Sequence, residues 1–425
     1  KSMSVLFPAL KSMGNESVGP IFYLTARGTT RTAAENALAI LRDTEPELHL
    51  RSVTLTAKDK ICLCETRECT PEACPYANGY YARIKGALWD VLDVPCLTAE
   101  TLQEYAKRHT VCPFELGLDS SLWSDVIIGD YNYLFDPVVH LVRFFESAGD
   151  YIFLVDEAHN LPGRAREMHS AALTKTSFYE AKKLLGKGKS SLKNALTKVN
   201  DVFIEWRHRA EEETAARDGR FGKTFFLKER SEEFDHLLNR LSEPLEAWLD
   251  DHREPDETHT ALLQLYFDVR AWLRVADTFD DHFVLQITAS GSEVRAAQLC
   301  LDPSAFLADS FALGRAAVLF SATLAPASYY KDLCGVPEAR AVALRSPFPA
   351  GNQGLFCIGN VSTRYKDRDA SLAIVEESLA TMVRARCGNY LAFFPSYAYM
   401  EQAYAQFKEH CPEINCIKQE NAMDE

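Results

Sequence analysis

Apolar residues follow two different rhythms along this chain. Near both ends they form short unbroken runs: Ile21–Leu24 in "IFYLTAR", Val126–Ile128 in "DVIIGDYNYLF", Ile152–Val155 in "YIFLVDEAHN", Ala317–Phe320 in "AVLFSATL", and a fifth in "NYLAFFPSY", Asn389–Tyr397. Runs of this length, closed by small or polar residues, read as strands buried on both faces. Several lead into helix-like stretches, such as Arg31–Arg42 and Ala370–Arg386. Strands alternating with helices predict a parallel α/β sheet, with ligands bound beyond the carboxyl ends of the strands.

The middle of the chain has helical spacing. From about Lys175 to Asp281 three stripes stand out. The first is Leu192, Leu196, Val199, Phe203 and Trp206; the second is Phe234, Leu238, Leu241, Leu245, Trp248 and Leu249. The third is Leu265, Val269, Trp272, Ala276 and Phe279. They predict three amphipathic helices forming a helical insert. "HFVLQITASGSEVRAAQLCL" then reads as a hairpin turning at Ser290–Ser292.

Composition narrows the picture. The chain has 425 residues, 47% of them hydrophobic, so two or three domains with large cores can form. Its formal net charge of −14 disfavours indiscriminate binding to phosphate polymers, and leaves nucleic-acid contact to local basic tracks. The best such track is Lys182, Lys183, Lys187, Lys189, Lys193 and Lys198. No apolar run is long enough to cross a membrane, and Lys1–Leu10 lacks the features of a signal peptide. A cytoplasmic, reducing location is the expectation, which argues against a disulfide framework for the twelve cysteines. Cys300 and Cys334 read as small buried residues.

"YIFLVDEAHN" carries the most chemistry. A buried strand delivers Asp156 and Glu157 to its carboxyl tip. Nucleoside triphosphate hydrolysis needs two carboxylates there: Asp156 to hold Mg²⁺, Glu157 to orient or deprotonate the attacking water. His159 is placed to sense the γ-phosphate or link the site to its neighbours. "SAT" at Ser321–Thr323 closes a second apolar strand, and the order of the two motifs is helicase-like. The opening Lys1-Ser2 matches the end of a P-loop, with the lysine on ATP phosphates and the hydroxyl on Mg²⁺. Pro8 sits awkwardly for the helix that should follow. The glycines of such a loop are not in the sequence.

Four cysteines, Cys62, Cys64, Cys69 and Cys74, fall within a charged, proline-bearing segment where unligated burial is a poor explanation. Thiolates suit zinc or an iron–sulfur cluster, and spacing does not separate the two. Either would staple a segment too small to build its own core.

With these residues together, the chain resembles the DinG/XPD-like iron–sulfur helicases of superfamily 2. The landmarks are "FYLTARGTTR", "LTAKDKICLC", "ECTPEACPYA", "VCPFE", "DVIIGDYNYLFDP", "DEAHN", "FSATL", "SPFP" and "FFPSY". The resemblance implies a RecA-like motor domain in pieces 1–56, 117–174 and 301–340. A cluster module at 57–116 and a helical arch at 175–300 interrupt it, and a second motor domain begins at 341–425. It implies a [4Fe–4S] cluster on Cys62, Cys69, Cys74 and Cys112, with Cys64 the alternative to Cys62. "TARGTTR" is similar to motif Ia, so Thr25, Arg27, Thr30 and Arg31 would contact the DNA backbone; Gly28 departs from the hydroxyl residue common there. Tyr131 and Tyr133 offer stacking platforms. Ser396 and Tyr397 fall in a motif IV-like loop, and Ser321 and Thr323 would couple the ATP site to the DNA track.

The implied activity is ATP-dependent 5′→3′ translocation on single-stranded DNA and unwinding at duplex junctions, by a monomer without membrane contact. With no P-loop glycines and no motifs V and VI, the sequence reads as a fragment, inactive as written. The alternatives are a metal-stapled module that grips single strands without hydrolysis, and a P-loop ATPase of another class.

Overall fold

The computed structural model describes residues 1–15, 18–26, 28–45, 47–186, 190–216, 223–254, 256–359 and 361–420. The chain divides into two compact units, Lys1–Ala341 and Val342–Glu425. Among the described residues the first unit has ten strands: β1 (Ile21–Thr25), β2 (Ser52–Thr54), β3 (Cys96–Leu97), β4 (Val126–Asp130), β5 (Ile152–Asp156), β6 (Ala171–Thr174), β7 (Lys223–Leu227), β8 (Phe283–Ser290), β9 (Glu293–Cys300) and β10 (Ala316–Phe320).

Six of them make a parallel sheet in the order β10-β5-β1-β4-β2-β3, a RecA-like α/β motor fold. Strands β1, β4 and β5 read as unbroken apolar runs because both faces are covered, whereas β10, expected to be buried on both faces, is an edge strand with Val318 41% exposed. One face packs Ile21, Tyr23, Val126, Ile128, Ile152 and Leu154 against α1 (Ser2–Asn15) and α2 (Gly28–Thr44). Pro8 lies inside α1, yet the helix forms; buried Leu6 and Ala9 anchor it to the sheet. The register aligns Thr25 with Asp130, and Asp156 with Phe320. The strand ends that carry the chemical motifs therefore share one edge.

The opposite face corrects the view of the cysteine segment as coreless. Phe22, Leu24, Ile127, Phe153 and Val155 share one core with residues of α3 (Lys58–Ile61), α4 (Tyr80–Val91), α5 (Ala99–His109) and α6 (Pro113–Ser120). Burying one such side chain contributes about 1.5–3 kcal/mol. Residues 62–79 alone bury no side chain completely, so the staple argument applies to that loop.

The predicted stripes become the helices Ser191–Ala216, Glu232–Asp251 and Glu257–Thr278. Phe203, Trp206, Phe234 and Trp272 interlock at ring separations of 4.6–5.7 Å. The helices pack on an antiparallel sheet, β6-β9-β8-β7. The hairpin β8–β9 is as read, but β6 and β7 flank it, and a further helix spans Lys175–Leu184. Lys187 and Lys189 lie outside the described residues; Lys193 Nζ bonds the main-chain oxygen of Gly186 at 2.6 Å.

In the second unit, helices Arg368–Ala385 and Tyr397–His410 pack through Leu372, Tyr399 and Ala403, and through Ala380, Phe407 and Cys411. The strand expected within Asn389–Tyr397 does not form. Leu391 and Phe393 are 80% and 85% exposed, and no strand among the described residues pairs with them. An apolar run becomes a strand only when a ladder partner accepts its backbone groups.

Candidate functional site

The carboxyl edge of the parallel sheet gathers most of the residues singled out in the motifs. Asp156 ends β5 and is 4% exposed. Its Oδ1 accepts from the Glu157 N–H at 2.8 Å and its Oδ2 from the Tyr23 hydroxyl at 2.8 Å. The Tyr131 hydroxyl donates to its main-chain oxygen. Glu157 turns away at once, with φ +48°. A non-glycine residue there carries about 1–3 kcal/mol of backbone strain, and the surrounding bonds must hold it.

Those bonds come from three separate stretches of chain. Lys1 Nζ meets Glu157 Oε1 at 2.5 Å. Ser321 Oγ donates to Glu157 Oε2 at 2.9 Å, and His159 Nδ1 lies 2.8 Å from Ser321 Oγ and 3.3 Å from Glu157 Oε2. The Thr323 N–H donates to Ser321 Oγ at 3.2 Å. Ser2 Oγ sits 2.9 Å from the Tyr23 hydroxyl. Burial alone would push the Glu157 carboxyl up. The bonds from Lys1 and Ser321, with the charges of Lys1 and His159, outweigh it and hold the group below the ordinary carboxylate range. The site is thus an ionised carboxylate beside an ammonium, a hydroxyl and a second carboxylate. These are hard oxygen donors of the kind that suit Mg²⁺.

The residues read as DNA contacts are less uniform. Thr25 is fully buried, and its Oγ1 meets Thr30 Oγ1. Arg27 lies outside the described residues. Arg31 is largely buried and pairs with Asp130 at 3.8 Å. Tyr131 and Tyr133 are 0% and 7% exposed, so both rings belong to the core and present no stacking face. Gly129 is a close approach: a Cβ there would lie 2.7 Å from the Tyr133 ring. In the second unit, Ser396 caps the helix Tyr397–His410 by accepting from the Tyr399 N–H, and also accepts from Arg368; Tyr397 is half-exposed.

Among the cysteines, Cys62 caps the end of α3 and Cys112 precedes α6, while Cys96 belongs to β3. Cys69 is exposed. Cys64 Sγ lies 3.8 Å from Cys74 Sγ. Burial and the neighbouring Cys74 and Cys62 thiols push the Cys64 thiol up to about 11. Arg83 ties this loop to its surroundings: its guanidinium donates to the main-chain oxygens of Thr110 (2.9 Å), Pro75 (3.1 Å) and Asn78. The donor chemistry suits a soft metal centre. Among the described residues, no three ligating side chains stand grouped around one point.

Sequence reasoning missed Tyr23, which lay hidden in an apolar run. Its signal was a hydroxyl that burial obliges to find a partner.

Comparison with known proteins adds an independent line. The DEAD_2 family model matches residues 44–178. Over 383 residues the chain is 24% identical to the general transcription and DNA repair factor IIH helicase subunit XPD of Schizosaccharomyces pombe, covering 73% of this chain and 49% of that protein. Over 157 residues it is 27% identical to a regulator of telomere elongation helicase 1 homolog of Anopheles gambiae, covering 34% of this chain and 16% of that protein. The chain thus spans half or less of these relatives. A solved structure described as an XPD helicase shares the fold with a TM-score of 0.53 at 17% identity, covering 95% of this chain and 69% of that one. In its motifs, relatives and fold, the chain is similar to the XPD/DinG-like helicases of superfamily 2.

Proposed function

We propose that this chain supplies the ATP-hydrolysing site of a DNA helicase that moves 5′→3′ on single-stranded DNA and opens duplex junctions. One observation carries the reading: Lys1, Ser2, Asp156, Glu157, His159 and Ser321 meet at the carboxyl edge of one parallel sheet. Asp156 and Ser2 would hold Mg²⁺, which when bound neutralises charge on the β- and γ-phosphates. Lys1 is the residue that moves. Phosphate oxygens compete with Glu157 for its ammonium, and its transfer frees Oε1 to orient the attacking water. Ser321 and His159 keep hold of Oε2 meanwhile, so the carboxylate stays aimed. Ser321 and Thr323 close the neighbouring strand, a route by which nucleotide state could reach the DNA track.

Cys62, Cys69, Cys74 and Cys112 would hold a [4Fe–4S] cluster, with Cys64 the alternative to Cys62 because it lies beside Cys74. The centre would brace the loop 62–79. DNA contacts are assigned to Arg27, Thr30, Arg31, Ser396 and Tyr397.

The test uses the full-length protein. ATP turnover should rise with single-stranded DNA, and a 5′-tailed duplex should be opened in preference to a 3′-tailed one. Turnover indifferent to DNA would reject the helicase reading; preference for the 3′ tail would reject the direction.

A further inference from the structure

The hydroxyl of Tyr23 is unexplained by packing. The residue lies in β1 with its side chain fully buried. Ile21, Val126, Ile128, Ile152 and Leu154 share its core, and its ring centre stands 6.0 Å from that of Phe320. Phenylalanine would fill the same space.

The oxygen contacts two groups, Asp156 Oδ2 at 2.8 Å and Ser2 Oγ at 2.9 Å. A phenol has one proton, and a carboxylate can only accept. Tyr23 therefore donates to Asp156 and accepts from Ser2. The chain of bonds has a direction: Ser2 hydroxyl to Tyr23 hydroxyl to Asp156 carboxylate.

Two consequences follow. The Ser2 proton is turned toward Tyr23, which leaves the oxygen lone pairs free for a cation. Asp156 is fixed at both oxygens, by Tyr23 at Oδ2 and by the Glu157 N–H at Oδ1, while each oxygen keeps a lone pair. Outer partners of this kind orient metal ligands and set their affinity.

We propose that Tyr23 is a positioning residue for the divalent cation, tying Ser2 to Asp156 in the geometry that receives it. This rests on the ATP-site reading given above.

Tyr23→Phe in the full-length protein keeps the ring and removes only the oxygen. Three quantities decide the matter: melting temperature, nucleotide affinity in EDTA, and Mn²⁺ affinity of the nucleotide complex by electron paramagnetic resonance. The expected result is unchanged melting, unchanged nucleotide affinity in EDTA, and Mn²⁺ affinity weakened by roughly tenfold. Half-maximal turnover should then need correspondingly more Mg²⁺, with recovery at saturation. Unchanged Mn²⁺ affinity overturns the proposal. So does joint loss of stability and cation binding, because packing alone would then account for it. Asp156→Asn separates the proposal from the reading beneath it. Loss of Mn²⁺ in Asp156→Asn but not in Tyr23→Phe removes only the role of the tyrosine. Undiminished Mn²⁺ binding in both removes the site.

Discussion

Ser321 Oγ donates to Glu157 Oε2 at 2.9 Å, joining the ends of β10 and β5 across 164 residues of chain. This bond is one of those that hold Glu157 ionised against the upward push of burial. Ser321→Ala removes it. The Glu157 carboxyl should rise, so the acid limb of the pH–rate profile should move to higher pH than in the wild type. Turnover at neutral pH should fall roughly tenfold, the equivalent of about 1.4 kcal/mol, close to the lower end of the range for a hydrogen bond to a charged group. ATP affinity should stay unchanged. An unshifted acid limb would show that Glu157 does not depend on Ser321.

The helical insert contains a buried carboxyl with an incomplete set of partners. Asp235 Oδ1 accepts from the Trp272 indole N–H at 2.8 Å, while Oδ2 has no hydrogen-bond partner and Arg230 stands 4.0 Å away. Burial pushes this carboxyl above its ordinary value, more than the Trp272 bond and Arg230 pull it down. A raised carboxyl disfavours the charged form in the folded state. Its cost to stability is therefore absent below the unfolded value and grows as pH rises from there through the folded one. Asp235→Asn keeps an acceptor for Trp272 and removes the charge. It should raise the melting temperature at pH 7 relative to wild type, with the difference closing on acidification toward pH 3. Melting curves across that range decide it; a destabilised variant at pH 7 would show that the pairing with Arg230 dominates.

Legibility in the sequence followed the physics of each element. Strands β1, β4 and β5 were readable because burial on both faces leaves no polar position to break the run; β10 carries the same apolar run although it is an edge strand exposed from Ala316 to Val318. The helices Ser191–Ala216, Glu232–Asp251 and Glu257–Thr278 were readable because one face of each is apolar at helical spacing. By contrast, β2 and β3, of three and two residues, are too short to carry a period, and β6 and β7 are recognisable only once β8 and β9 offer them an edge. The run at Asn389–Tyr397 misled because apolar character alone does not supply a ladder. At the site, Asp156, Glu157 and Ser321 were visible as motifs. Tyr23 was not, since a tyrosine inside an aliphatic run is indistinguishable from core until its oxygen is placed. Tyr131 and Tyr133 misled for the converse reason: aromatic rings beside a polar turn can face either way, and here they face inward.

Cys74 sits where the loop 62–79 meets both Cys64 and the Arg83 clamp. Cys74→Ser in the full-length protein should bleach the brown visible absorbance and reduce the iron content. It should also make residues 57–79 more susceptible to proteolysis. Cys64→Ser and Cys62→Ser, compared side by side, identify the first ligand by which of them bleaches. A colourless wild type holding stoichiometric zinc would contradict the cluster.

The central claim is that Glu157 activates the water that cleaves ATP. It is tested most directly by measuring DNA-stimulated ATP turnover and ATP binding on full-length Glu157→Gln beside wild type. Turnover should fall by about 10²–10⁴-fold, the range for a removed general base, while ATP still binds. Wild-type turnover in Glu157→Gln would contradict the account.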